Sequence, residues 1–298
     1  MESFNTRCLC RISPGLREKG LRRFGVLAGL VVILGSGVGV VTAASTQNDE
    51  VSSDSTSPRV IPGGPRGQAI SEGLRIVTDS PRELKDWVSS GLTCANCHLG
   101  AGTVPGASPW TGIFGVFPEY RARTGKMISL QERINECMQR SLNGRALPFE
   151  SHQMDAVLAY IQWLSEGTPT GQSPPGRGFG SIDTRRVPDS ANGSRIYRAS
   201  CAMCHGADGE GVRRADGTFA FPPLWGDASF NIGAGMARTY TAAAFIRGNM
   251  PQNAPGSLSE QEAIDVAEFV THQARPDFPA RRADWPHGDA PKDARKDD

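Results

Sequence analysis

The chain has 298 residues, with 32 Lys/Arg against 31 Asp/Glu; it is long enough for two domains of ordinary size and lacks the cationic excess that nucleic-acid binding needs. A hydrophobic fraction of 38 %, with 35 glycines and 21 prolines, leaves little side-chain material for two cores. Domains built around large apolar groups would relieve that shortage.

Residues 1–44 run from a basic stretch ending at Arg22-Arg23, through an uncharged apolar segment from Phe24 to Val41, to the small residues Thr42-Ala43-Ala44. This order reads as an export signal removed after Ala43 or Ala44. The alternative is a retained membrane anchor, which the run is only just long enough to form and which its glycines weaken as a helix. Cleavage leaves a slightly acidic chain of about −3, expected in the periplasm. Association with the membrane requires that the segment stay in place.

Residues 45–66 are mostly Ser, Thr, Asp, Pro and Gly, a flexible leader by composition, with order expected near Ala69. Two blocks follow, 67–168 and 189–276, joined by the Pro/Gly-rich linker 169–188. Each block has the same parts in the same order: a helical segment, a Cys-x-x-Cys-His, a Gly/Pro-rich loop, a short helix and a closing amphipathic helix. The closing helices are predicted at Ser151–Ser165 and Ser259–Gln273, the second with a capping box from Ser259 and Glu262. No segment reads as a sheet. The predicted fold is therefore all-α, two tandem helical domains, with a charged tail at 277–298 loosely held.

Of seven cysteines, Cys8 and Cys10 lie in the signal region and four form Cys94-Ala95-Asn96-Cys97-His98 and Cys201-Ala202-Met203-Cys204-His205. Both match the attachment signature of c-type haem: two thiols bond the porphyrin vinyl groups and the histidine reaches the iron. A zinc site or a redox dithiol would need four protein ligands or a βαβ context that this chain does not predict. The expected cofactors are thus two covalently bound haems c in two cytochrome c domains. For the sixth ligand of the second iron the candidates are Met236 and Met250, and Met250 occupies the loop before the closing helix where a methionine ligand ordinarily sits. The first block offers Met127, Cys137, Met138, His152 and Met154.

Cys137 is left unpaired: a buried inert thiol, an intermolecular disulfide or a functional sulfur. Ser129 and Glu132 form a capping box for a helix predicted to run to Gly144. On it Arg133, Cys137 and Ser141 share one face. An arginine one turn from a lone cysteine both stabilises a thiolate and offers a fork to an oxyanion. Arg121, Lys126, Arg140 and Arg145 read as a solvated basic surface.

The segments Gly91–His98, Tyr120–Gly125 and Arg133–Gly144 resemble those of the thiosulfate dehydrogenases, dihaem cytochromes c. The resemblance implies that Cys137 is the sixth ligand of the first, catalytic haem and that Arg123, Arg133 and Ser141 line a pocket for sulfur oxyanions. It implies Met250 as ligand of an electron-transfer haem; Asn249 stands where some members have a lysine that competes for the iron. The implied reaction joins two thiosulfates into tetrathionate, or the reverse, with an external acceptor such as a small cytochrome c. Two other readings remain at this level: a dihaem electron carrier without catalysis, and a dihaem peroxidase with one open iron position.

Overall fold

The structure, a computed structural model, describes residues 59–296; the export signal and residues 45–58 of the leader lie outside the described residues. Nine helices occur among them: α1 Gly64–Thr78, α2 Ser80–Glu83, α3 Leu99–Gly102, α4 Leu130–Arg140, α5 His152–Leu164, α6 Ser190–Ser200, α7 Ala202–His205, α8 Thr239–Asn249 and α9 Glu260–Thr271. The architecture is helical and duplicated. In the first half α1 packs on α5, and in the second α6 packs on α9. Each pair crosses at a glycine. A Cβ on Gly73 would lie 2.1 Å from Ala156 O, and one on Gly193 1.9 Å from Asp265 O, so both crossings are closer than any other residue permits.

The closing helices start where their caps place them. Ser151 Oγ accepts from Met154 N, and Ser259 with Glu262 makes the full capping box. Met154, Val157, Ile161 and Leu164 are buried on α5, and Ile264, Val266, Ala267 and Val270 on α9. The first-half core also takes in Phe230, Ala234 and Ala237 from the second half, so a loop of one half completes the core of the other.

Four features depart from the sequence expectations. Two short antiparallel hairpins occur, β1 Glu119–Arg121 with β2 Lys126–Ile128 and β3 Val212–Arg213 with β4 Phe219–Phe221; they are too brief for a period-two pattern to register. Order starts earlier than Ala69: Arg59 donates to the carbonyls of Trp163 and Glu166, and a proline in the first turn of α1 favours its start at Gly64. The Pro/Gly-rich segment between the halves is irregular but docked, with Gly106 N donating to Gly176 O and Ser108 N to Gly178 O. The tail is not loosely held. Asp284 and Trp285 are 4 % and 6 % exposed, because Asp284 is the counterion of a buried arginine and the Trp285 ring covers two more.

Candidate functional site

Each Cys-x-x-Cys-His sits on a short helical turn, Cys94–Asn96 continuing to His98 in the first half and α7 in the second. None of the four cysteines is in a disulfide, so all four sulfurs remain for thioether links. Both histidines are oriented the same way. His98 Nδ1 is 2.6 Å from Ser108 O and His205 Nδ1 is 2.9 Å from Pro222 O; a carbonyl only accepts, so Nδ1 carries the proton and Nε2 keeps the lone pair that an iron needs. Burial pushes His98 down to about 4, so it stays neutral at ordinary pH, and burial lowers His205 too. Trp110 lies against the His98 ring, centroids 4.5 Å apart. Two thiols and one neutral, pre-oriented imidazole in each half form the donor set that a covalently attached haem requires.

The α4 face brings together the residues that its spacing predicts. Ser129 and Glu132 cap it reciprocally. One turn further, Arg133 Nη1 donates to Cys137 Sγ at 3.1 Å and approaches Glu136 Oε2 at 3.3 Å. The neighbouring Cys137 sulfur, whose thiolate form attracts the guanidinium, is the foremost reason that Arg133 is held above its ordinary value. Burial is the main reason that Cys94 rises to about 11 and Cys97 to about 12, and both also feel the Cys137 sulfur electrostatically. Ser141 is the C-cap, its N–H donating to Cys137 O at 2.8 Å. The helix therefore stops at Arg140, short of Gly144, and the left-handed turn is made by Asn143 at φ +47°.

Arg123 occupies the turn between β1 and β2. Its Nη1 donates to Gly233 O at 2.9 Å and its guanidinium carbon is 4.8 Å from the centre of the Trp285 ring. Burial, reinforced by the like charge of Arg140, pushes it down to about 10, still charged at neutral pH. Among the other basic residues, Lys126 pairs with Glu132 and Arg121 with Glu119, near solvent, and Arg145 lies over the Trp87 ring. Arg140 does not belong to a solvated surface. It is 9 % exposed and bound through both terminal nitrogens to Asp284, a partner 144 residues away that no local pattern could reveal.

In the second half Met250 ends α8, and the preceding Asn249 side chain donates to Gly106 O of the first half and to Phe245 O. Met236 packs against the core of the first half and a cluster of the second formed by Ala242, Ala243, Ile264 and Ala267. Gly233, Asp284 and Trp285 were missed by sequence reasoning; the one available signal was a lone tryptophan in a charged tail.

The SoxA/TsdA cytochrome c domain matches residues 85–170, and the cytochrome c domain matches residues 190–274. The chain is therefore a tandem cytochrome of class c, with two covalently bound c-type haems. It is 46 % identical over 258 residues to the thiosulfate dehydrogenase of Psychrobacter arcticus, across 87 % of this chain and 78 % of that one. To the thiosulfate dehydrogenase of Allochromatium vinosum it is 47 % identical over 223 residues, across 74 % of this chain and 83 % of that one. The solved thiosulfate dehydrogenase TsdBA of Marichromatium purpuratum, in its as-isolated form, matches with a TM-score of 0.72 at 35 % identity, over 80 % of this chain and 53 % of that longer one. This chain belongs to the thiosulfate dehydrogenase family.

Proposed function

We propose that the protein, exported to the periplasm and freed of residues 1–44, couples two thiosulfate ions into tetrathionate and hands both electrons to an external carrier such as a small cytochrome c. The reverse reaction runs at the same site. The observation that carries this reading is the 3.1 Å contact between Arg133 and Cys137 beside the first haem motif. Cys94 and Cys97 would hold the first haem, with His98 and Cys137 on its iron. Cys201 and Cys204 would hold the second, with His205 and Met250 as ligands. When bound, the haems supply two one-electron acceptors, matching the two electrons that the coupling releases.

Thiosulfate is a dianion, and two of them come together only where positive charge screens their repulsion. Arg133 and Arg123 provide that charge and present guanidinium donors to the substrate oxygens. Ser141 adds a hydroxyl one turn beyond the sulfur. The Cys137 thiolate and the terminal sulfur of the first thiosulfate form a sulfur–sulfur bond with loss of two electrons. The terminal sulfur of the second thiosulfate then attacks that substrate sulfur; the Cys137 thiolate leaves as tetrathionate forms, with no further change in oxidation. Arg133 stabilises the leaving thiolate as it stabilises the attacking one.

Steady-state assays of the haem-loaded protein in both directions, with electron paramagnetic resonance of its oxidised form, test the proposal. Turnover of thiosulfate together with a low-spin His/thiolate signal is expected. A high-spin signal would point to a peroxidase, and two ordinary low-spin signals without turnover to an electron carrier.

A further inference from the structure

The matched cytochrome c domain of the second half ends at residue 274, yet the chain continues and returns to the first half at the turn that carries Arg123. Trp285 N donates to Arg123 O at 2.7 Å, and Pro286 and His287 lie against Gly125, where a Cβ would be 2.6 Å from Pro286 Cγ. The indole of Trp285 lies near two guanidiniums, its ring centre 4.8 Å from the guanidinium carbon of Arg123 and 5.8 Å from that of Arg238. Next to it, Asp284 Oδ2 is 3.8 Å from Arg123 Nε while both carboxylate oxygens bind Arg140.

This contact is specific in form. Trp285 has φ +53°, a left-handed backbone that a bulky residue adopts only when its surroundings hold it there. The strain turns the ring onto Arg123 while its N–H bonds the same residue's backbone. Of the three guanidinium nitrogens of Arg123, Nη1 is bound to Gly233 O and Nε faces Asp284. Nη2 makes no hydrogen bond to the described residues, so both of its N–H groups are available to an anion.

We propose that Trp285, anchored by Asp284, is a positioning residue that fixes the Arg123 guanidinium with Nη2 directed to substrate. The proposal rests on the reading of Arg123 as a thiosulfate-binding side chain and adds the element that holds it in place. A ring face attracts a guanidinium and restricts its rotamers without using its hydrogen-bond donors. An ion pair alone would draw the donors toward the carboxylate and away from substrate. The C-terminal segment thus acts on the first haem domain, although it follows the second in sequence.

A double-mutant cycle in the haem-loaded protein tests this, with thiosulfate as the varied substrate. Trp285→Leu is expected to raise KM about fivefold with kcat within about twofold, and Trp285→Phe to restore KM to within about twofold of wild type. Both haem spectra should stay unchanged. In an Arg123→Ala background Trp285→Leu should have no further effect on KM, since its target is gone. If the leucine variant fails to load two haems, Trp285→Met, which removes the ring but keeps bulk, takes its place. An unchanged KM, or the same loss in the Arg123→Ala background, overturns the proposal and leaves Trp285 a packing residue. A wild type that does not turn over thiosulfate overturns the reading of the site and this proposal with it.

Discussion

Arg140 on α4 and Asp284 in the C-terminal segment form a buried two-bond pair, Nη2 to Oδ1 at 2.7 Å and Nη1 to Oδ2 at 2.8 Å. Their side chains are 11 % and 6 % exposed, so neither charge can be rehydrated if the other is removed. Asp284→Ala should therefore destabilise the haem-loaded protein by about 3–5 kcal/mol, read from equilibrium denaturation. Replacing both residues by apolar ones should recover much of that loss. A cost of the single variant under about 1 kcal/mol would show that water reaches Arg140 and that the pair behaves as a surface one.

Met250 ends α8 immediately after Asn249, whose side chain is tied to Gly106 O of the first half. Met250→Gly should abolish the methionine–iron absorption band of the oxidised second haem and leave the spectrum of the first intact. Met236, packed between hydrophobic clusters of the two halves, should tolerate Leu with the band preserved and a stability change of under about 1.5 kcal/mol. Loss of the band on replacing Met236 would transfer the ligand role to it.

The Arg133–Cys137 contact was legible in the sequence because both partners lie on one helix, where a spacing of four fixes proximity whatever the tertiary fold does. The two haem motifs were legible for the same reason: their geometry is local. What escaped is long-range. Arg140 is one turn from Cys137 on the same helix, yet only the return of the tail decides that it is buried. Ser108 fixes the orientation of His98 through a carbonyl, a backbone group that side-chain patterns do not report. The tail itself reads as solvated because its charges are as frequent as those of a disordered segment, and composition cannot tell a free aspartate from one that neutralises a distant arginine.

Arg133→Ala and Arg123→Ala should each lower kcat/KM for thiosulfate about tenfold to a hundredfold, from the roughly 1.5–3 kcal/mol that a charge-assisted hydrogen bond contributes when partly shielded from water. Both variants should keep two haems by mass. The two should differ in one respect: Arg133 touches Cys137 Sγ and Arg123 does not, so only Arg133→Ala should also shift the spectrum of the first haem. Unchanged kinetics in both would leave these arginines a structural role only, with no part in binding thiosulfate.

Cys137 is the one free cysteine among the described residues outside the two haem motifs, and it is the sulfur that Arg133 contacts. Cys137→Ser should leave both haem attachments intact, since these depend on the Cys-x-x-Cys-His motifs and on porphyrin burial, and mass spectrometry of the denatured protein should still find two haems. The first haem should lose its thiolate signature, because a neutral hydroxyl is a hard and weak ligand for this iron. Thiosulfate oxidation and tetrathionate reduction should fall together to near background, as both directions pass through the same transition state and need the same sulfur nucleophile. In the wild type, incubation with tetrathionate should leave a sulfur adduct on the Cys137 peptide, removed by a thiol reductant. Substantial activity of the serine variant in either direction would mean that Cys137 is a structural thiol, and that thiosulfate meets its oxidant without a covalent link to the protein.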